Sequence, residues 1–177
     1  MTTVSLDHPE LVTQRQRLRP LRRGDAGLVH LYASDARVAR MTTSIPHPYP
    51  PGGAEAFIER LSRSDAAETV LALDTGGDNG LIGLVSLAPR ADGTAALSYW
   101  VAPAFWNAGY AGEAVEAVVD RTRRLGLAAL TAETFQDNLP SARVLTRAGF
   151  AFEGEGAAHS VARGAVAPTF RYRLALR

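Results

Sequence analysis

The chain has 177 residues, 46% hydrophobic and 21% charged, so length and composition predict one globular domain over residues 1–177. A formal net charge of +1 gives no sign of nucleic-acid binding, and the absence of cysteine excludes disulfides, thiol nucleophiles and thiolate metal sites. All 19 basic residues are arginine, which excludes Schiff-base lysines and the lysine of a Walker-type phosphate loop.

The first part of the chain predicts one strand and two helices. Residues 1–14 are expected to form a loose leader, and alternating charge and bulk predict a strand over residues 15–21. Asp25 is placed to cap a first helix. Four prolines between Thr42 and Gly53 exclude regular helix or a central strand there, and a second helix follows them.

The rest of the chain predicts a hairpin and then alternating helices and strands. The predicted strands cover residues 69–73, 81–87, 94–101, 128–135, 150–153 and 169–174, and the helices begin after Gly109 and at about Leu139. Small residues predict a loop over 154–168 between the last two strands. This order favours an α/β (α+β) fold, with antiparallel runs before residue 106.

The turn Trp106–Gly112 is the most informative segment. It joins a predicted strand to an amphipathic helix, and small residues such as Gly109 and Gly112 keep the approach to the helix start open. The first N–H groups of a helix lack internal partners and carry partial positive charge, so a pyrophosphate fits this position. The alternative is an ordinary helix start packed under a strand.

Two motifs resemble the GNAT superfamily of acetyl-CoA-dependent N-acetyltransferases. Trp106–Ala111 matches the family turn Gln/Arg-x-x-Gly-x-Gly/Ala except at Trp106, and Asn138 to Phe150 resembles its Asn-x-x-(Ser/Ala)…Gly-Phe helix. The approach Tyr99–Trp106, with Arg17 and Arg19, resembles the branch of ribosomal-protein N-terminal acetyltransferases of the RimJ and RimL type. The resemblance covers residues 15–176 and implies a mixed, mostly antiparallel sheet of about six to seven strands flanked by about four helices.

The resemblance also implies the groups that bind acetyl-CoA, the co-substrate. The turn would bind its pyrophosphate, Val101 N–H would polarise the thioester oxygen beside Trp100, and Asn138 would bind the pantetheine arm. The full set implied is Trp100, Val101, Trp106, Asn107, Ala108, Gly109, Tyr110, Ala111, Gly112 and Asn138. For Asn138 the other interpretation is helix capping, and one side chain could do both.

Two residues are predicted to be catalytic. Glu133 is the candidate general base, because burial among apolar neighbours would raise the pKa of its carboxyl. The alternative is an exposed glutamate paired with an arginine. Ser141 could donate to the coenzyme A sulfur or simply start a helix. Many relatives carry a tyrosine acid where this chain has Leu145, so a catalytically silent acetyl-CoA-binding module is a second hypothesis.

The acceptor is predicted to be a primary amine. Within the resemblance a protein N-terminus leads, and a small amine such as an amino acid or an antibiotic is the alternative. The segment 45–51, with its prolines, His47 and Tyr49, either borders the acceptor pocket or is a plain connector. Isolated histidines predict no metal site.

The sequence predicts a cytoplasmic protein that binds neither nucleic acid nor membrane. The first eight residues do not resemble a signal peptide, and no apolar run approaches the ~18 residues of a membrane span. A homodimer is an open alternative.

Overall fold

The computed structural model describes residues 10–63, 68–77 and 79–176. Within these residues the strands are β1 Leu11–Val12, β2 Arg17–Pro20, β3 Thr69–Asp74, β4 Leu81–Pro89, β5 Thr94–Val101, β6 Ala129–Phe135, β7 Ala151–Ser160 and β8 Ala165–Ala175. The helices are α1 Ala26–Ala33, α2 Ala36–Ala39, α3 Gly53–Leu61, α4 Tyr110–Arg124 and α5 Leu139–Arg147.

The strands form one mixed sheet in the order β1-β2-β3-β4-β5-β6-β8-β7. Every neighbouring pair is antiparallel except β5 and β6, which run parallel. The predicted α/β fold with a mostly antiparallel sheet is confirmed, with one more strand and one more helix than expected. Of the expected leader, residues 1–9 lie outside the described residues, whereas Leu11 and Val12 pair with Leu18 and Arg17.

The loop predicted over residues 154–168 is wrong. Strand β7 continues to Ser160, and β8 begins at Ala165, so the two form a long antiparallel hairpin. Glycine and alanine have low strand propensity and show no alternation of bulk, which hid the strands. Pairing between β7 and β8 stabilises both strands in spite of this composition.

The sheet separates two apolar cores. On one face, α4 and α5 bury Val115, Val118 and Leu145 against the strands. On the other face, α1 and α3 bury Val29 and Ile58. Since side chains alternate along each strand, consecutive residues of β5 face different cores.

Asp25 precedes α1 as expected, but its side chain does not cap that helix. Its carboxylate accepts two hydrogen bonds from the Arg19 guanidinium, at 2.8 and 2.9 Å. Arg19 also donates to Asp74 of β3 at 2.5 Å. Arg19 is 4% exposed, so these contacts make a buried ionic cluster that joins β2, β3 and the turn before α1.

The parallel strands β5 and β6 diverge after three residue pairs. Their pairing covers only Thr94–Ala96 and Ala129–Thr131. Beyond these residues, 97–101 and 132–135 continue as strands with a gap between them. The sheet therefore opens near its centre, and this opening positions the candidate site.

Candidate active site

A cavity of about 570 Å³ passes through the gap between β5 and β6. The side chains of Leu97 and Tyr99 line the cavity on the face of the sheet that packs against α4 and α5. The side chains of Ser98 and Trp100 line it on the opposite face. Thr134 and Phe135 of β6 form the other edge. A ligand can thus reach the gap from both faces of the sheet.

The edge of β5 presents backbone groups to this gap. Ala102 N–H donates to the carbonyl of Ile82 in β4 at 2.8 Å. Along an antiparallel strand, successive residues direct their backbone groups alternately toward and away from the neighbouring strand. Val101, paired in register with Gly83, therefore directs its N–H away from β4 and toward the gap. The Val101 carbonyl accepts from the Trp106 indole at 2.6 Å. The N–H is the group that could polarise a carbonyl oxygen.

Gly83 permits this arrangement, and sequence reasoning did not single it out. A Cβ at position 83 would lie 2.3 Å from the carbonyl oxygen of Trp100 and 3.0 Å from the Cα of Val101. Any side chain there would displace the end of β5. A glycine in a strand interior often marks such a close approach of backbone.

The turn Trp106–Gly112 adopts the geometry that its small residues predict. Asn107 has φ 60° and Gly109 has φ 85°, and α4 begins at Tyr110. Residues 106–109 are exposed, and a Cβ at Gly112 would meet no atom within 4 Å. The turn therefore leaves open space beside the start of α4, as an anion requires. Within the described residues this turn lies outside the cavity lining.

Arg15 braces the turn from the N-terminal segment. Its guanidinium donates to the Ala108 carbonyl and to Glu113, both at 2.7 Å, and lies 4.6 Å from the centre of the Tyr110 ring. Although burial acts to raise the pKa of Glu113, hydrogen bonds from Thr13 and Arg15 hold it below its ordinary value. Arg15 thus compensates a carboxylate that would otherwise repel an anion at this helix start.

The start of α5 brings Asn138 and Ser141 to the cavity. Asn138 caps the helix, with its side-chain oxygen accepting from Ser141 N–H at 3.3 Å. The Tyr99 hydroxyl lies 2.9 Å from Ser141 Oγ. Burial raises the pKa of Tyr99 to about 12, so the phenol keeps its proton. It can donate that proton to the Ser141 backbone carbonyl at 3.2 Å or to Ser141 Oγ. Leu145 is buried beside them, 1% exposed.

Tyr99 is a residue that sequence reasoning left out of the site. Its partner Ser141 is 42 positions away, and only the packing of β5 against α5 brings the two hydroxyls together. A serine that accepts from Tyr99 has its own proton free to point toward the gap.

Glu133 lines the cavity, but the reason given for its activation is wrong. The residue is exposed rather than buried among apolar neighbours. Its Oε1 accepts a hydrogen bond from Thr169 of β8, and in the sheet it stands opposite Arg171. Glu133 therefore lines a solvent-exposed part of the cavity, where its carboxylate is hydrogen-bonded to Thr169.

The far end of the cavity is built from separate segments. Residues 41–46 and Tyr49 form one wall, and Phe57 and Arg60 of α3 form another. Arg60 pairs with Glu68, also in the lining, at 3.1 Å. The predicted position of the proline-rich segment beside a pocket is therefore observed in part.

Within residues 10–63, 68–77 and 79–176, no group of three or more His, Cys, Asp or Glu side chains could hold a metal ion. In the same part of the chain, no helix is long and apolar enough to cross a membrane.

Comparison with known proteins places this geometry in a family. Residues 15–151 match the acetyltransferase (GNAT) domain. No curated protein sequence gives a significant match. Among solved structures, the fold is similar to that of Mycobacterium smegmatis RimJ in complex with CoA-disulfide, with a TM-score of 0.81, 20% identity, and coverage of 99% of this chain and 90% of that chain.

Two other solved structures have different acceptors in their names. Spermidine N-acetyltransferase from Vibrio cholerae, in complex with CoA and spermine, has a TM-score of 0.77 and 20% identity over 92% of this chain and 96% of that chain. Ribosomal-protein-S5-alanine acetyltransferase from Vibrio fischeri has a TM-score of 0.78 and 19% identity over 94% of this chain and 96% of that chain. At these identities the structures show a shared fold, whereas the family match covers most of the chain. The chain therefore belongs to the GNAT acetyltransferase family and is an acetyl-CoA-dependent N-acetyltransferase.

Proposed function

We propose that this enzyme acetylates the free N-terminus of a peptide or protein by direct attack of the amine on acetyl-CoA in a ternary complex. The observation that carries the proposal is the gap between β5 and β6, which opens to both faces of the sheet. Acetyl-CoA enters from the α4–α5 face, and the amine approaches from the face of α1 and α3. The two reactants then meet without exchanging places.

The donor side is assigned to backbone groups and short side chains. The N–H groups at the start of α4, in the turn Trp106–Gly112, bind the pyrophosphate. Asn138 and the free edge of β5 bind the pantetheine arm beside Trp100. Val101 N–H donates to the thioester oxygen as negative charge develops there.

The chemical step needs one acceptor of protons and one donor. The amine nitrogen forms a bond to the thioester carbon, and the carbon–sulfur bond then breaks to release a thiolate. An ammonium loses two protons in forming the amide. One passes to Glu133, directly or through water, and on to solvent, and the other protonates the thiolate. Ser141, oriented by Tyr99, donates a hydrogen bond to that sulfur in place of the tyrosine absent at position 145.

The charges of the cavity favour a monocationic acceptor over a polyamine. Among the described lining residues the carboxylates are Glu68 and Glu133. Arg60 already pairs with Glu68, so Glu133 supplies the remaining negative charge. One carboxylate suits one ammonium group, whereas a polyamine would leave its other charges uncompensated.

The test compares acceptors under identical conditions. Purified enzyme is given acetyl-CoA with short peptides that have free or blocked N-termini, with spermidine, and with an aminoglycoside, and release of CoA and acetylated product are both measured. Acetylation of the free peptides alone is expected. Acetylation of spermidine or the aminoglycoside without any peptide product would overturn the peptide assignment.

The role of Glu133 is tested separately with Glu133→Gln. We expect kcat to fall roughly 100-fold, as for loss of a general base, with little change in the KM for acetyl-CoA. Thr169→Val, which removes the hydrogen bond to Glu133, should have a smaller effect. Full activity of Glu133→Gln across the pH range would remove Glu133 from the mechanism and leave the transfer itself intact.

A further inference from the structure

One arginine behind the site joins segments from three distant parts of the chain. Arg163 lies in the turn between β7 and β8, where Gly164 N–H closes the turn on the Ser160 carbonyl at 2.9 Å. Its side chain is only 13% exposed although it lies at a hairpin turn. Residue 163 falls in the segment 154–168 that the sequence predicts to be a small-residue loop.

The first set of contacts reaches the acceptor wall, meaning the wall of the cavity formed by residues 41–46 and Tyr49. Arg163 Nε donates to the Arg40 carbonyl at 2.7 Å. The same turn adds two hydrogen bonds, from Ser160 Oγ to the Thr42 carbonyl and from Val161 N–H to the Thr43 carbonyl, both at 3.0 Å. Ser160 is fully buried. The hairpin therefore holds the backbone of residues 40–43, which leads into the cavity wall.

The second set of contacts reaches the loop that precedes α5. Both terminal nitrogens of Arg163 donate to the carboxylate of Asp137, each at 2.9 Å. The guanidinium carbon lies 4.4 Å from the centre of the Phe135 ring. Hydrogen bonds from Arg163 hold the pKa of Asp137 below its ordinary value, so the pair stays ionised at neutral pH. Asp137 directly precedes Asn138.

We propose that Arg163 is a positioning residue that couples the acetyl-CoA side of the cavity to its acceptor wall. The guanidinium is planar and has its donors in a rigid arrangement, so it cannot keep all these contacts if either segment moves. Order imposed on Asn138 by coenzyme A is thus transmitted to residues 41–45. Coupling between two sites is reciprocal, so an acceptor bound at that wall also tightens coenzyme A. This inference rests on the proposed coenzyme A site.

Free coenzyme A and amide hydrogen exchange test the coupling without any acceptor. In the unaltered enzyme, coenzyme A should slow exchange at residues 109–113 and also at residues 41–45. In Arg163→Ala the slowing should persist at 109–113 and be lost at 41–45, and the affinity for coenzyme A measured by calorimetry should fall roughly fivefold.

Two further variants keep the test independent of folding. Asp137→Asn preserves shape at a side chain that is 57% exposed, so it should fold normally and still lose the slowing at 41–45. Arg163→Lys retains charge but cannot hold Asp137 and the Arg40 carbonyl together, and it should lose most of the slowing. Arg123→Ala, which removes an exposed arginine paired with Asp120 on α4, is the control and should behave as the unaltered enzyme.

The outcomes separate the coupling from the function on which it rests. Coenzyme A that binds and slows exchange only at 109–113 in the unaltered enzyme would overturn the coupling and leave the proposed function standing. Slowing at 41–45 that survives in both Arg163→Ala and Asp137→Asn would also overturn it. Absence of any coenzyme A binding would overturn the coenzyme A site itself, and the coupling with it.

Discussion

The proposed donor half and the proposed acceptor half of the candidate active site differ in how they are assembled. The donor half, meaning β5, the turn Trp106–Gly112 and the start of α5, uses backbone groups of β5 and the turn, to which the start of α5 adds the side chains of Asn138 and Ser141. The acceptor half, meaning residues 41–50, α3 and the β7–β8 turn, uses side chains and carbonyls from distant parts of the chain. A backbone site tolerates sequence change, whereas an acceptor wall can diverge by single substitutions. Acceptor preference can therefore change at the wall while the proposed donor site is kept.

The largest effect should come from the Ser141 hydroxyl of the proposed donor half. Ser141→Ala removes the donor to the leaving sulfur, and we expect kcat to fall roughly 100-fold with the KM for acetyl-CoA nearly unchanged. Tyr99→Phe removes only the group that orients Ser141 and should lower kcat roughly tenfold. Steady-state kinetics with a peptide acceptor measures both. Thr146→Ala deletes a hydroxyl that bonds within α5 and serves as the control. A normal kcat in Ser141→Ala would mean that water protonates the sulfur.

A change at the turn should affect the donor half alone. Gly109 has φ 85°, and a Cβ there would lie 3.2 Å from the Arg15 guanidinium. Gly109→Val should therefore shift the backbone of the turn and displace Arg15, so that the N–H groups proposed to bind the phosphate move. We expect the KM for acetyl-CoA to rise roughly tenfold, with the acceptor KM unchanged. Gly126→Val places the same strain, at φ 74°, at the other end of α4 and is the matched control. Equal KM values for the two variants would show that the effect is strain in α4 and not a lost phosphate contact.

The features that could be predicted from the sequence are those that depend on local contacts. The turn at Gly109 and the cap at Asn138 depend on neighbours within a few residues, so their residue types predict them. Tyr99 with Ser141 and Arg163 with Asp137 depend on which strands and helices pack together, and no local pattern encodes that. For Glu133 the local sequence predicts the wrong environment. Its neighbours in the chain, Ala132 and Thr134, lie on the opposite face of the sheet, so they are buried while the Glu133 side chain is exposed.

A smaller effect should come from charge in the acceptor half. Arg60→Gln releases the Glu68 carboxylate from its ion pair and makes the cavity more negative. The KM for a peptide amine should fall roughly threefold at low ionic strength, as for a partly exposed charge, and the gain should vanish in high salt. The KM for acetyl-CoA should not change. Arg123→Gln, on α4, is the control. A higher peptide KM in Arg60→Gln would instead mean that Arg60 contacts the acceptor, for example at its backbone carbonyls.

The smallest effect on kcat and KM should come from the buried cluster of Arg19, Asp25 and Asp74, because none of these three residues lines the cavity. The effect of this cluster on stability should depend on pH. Burial acts to raise the pKa of both aspartates, but hydrogen bonds from Arg19 outweigh it and hold each pKa below its ordinary value. These two groups then take up more protons in the unfolded chain than in the folded chain as the pH falls below about 5. The contribution of the cluster to the free energy of unfolding is therefore constant from pH 7 to 5 and falls as the pH drops further. Asp74→Asn, followed by urea titration at each pH, should show a shallower acid decline than the unaltered enzyme. An identical decline would place the acid-sensitive carboxylates elsewhere, Glu113 beneath the donor turn being the first to examine, because its pKa is also lowered.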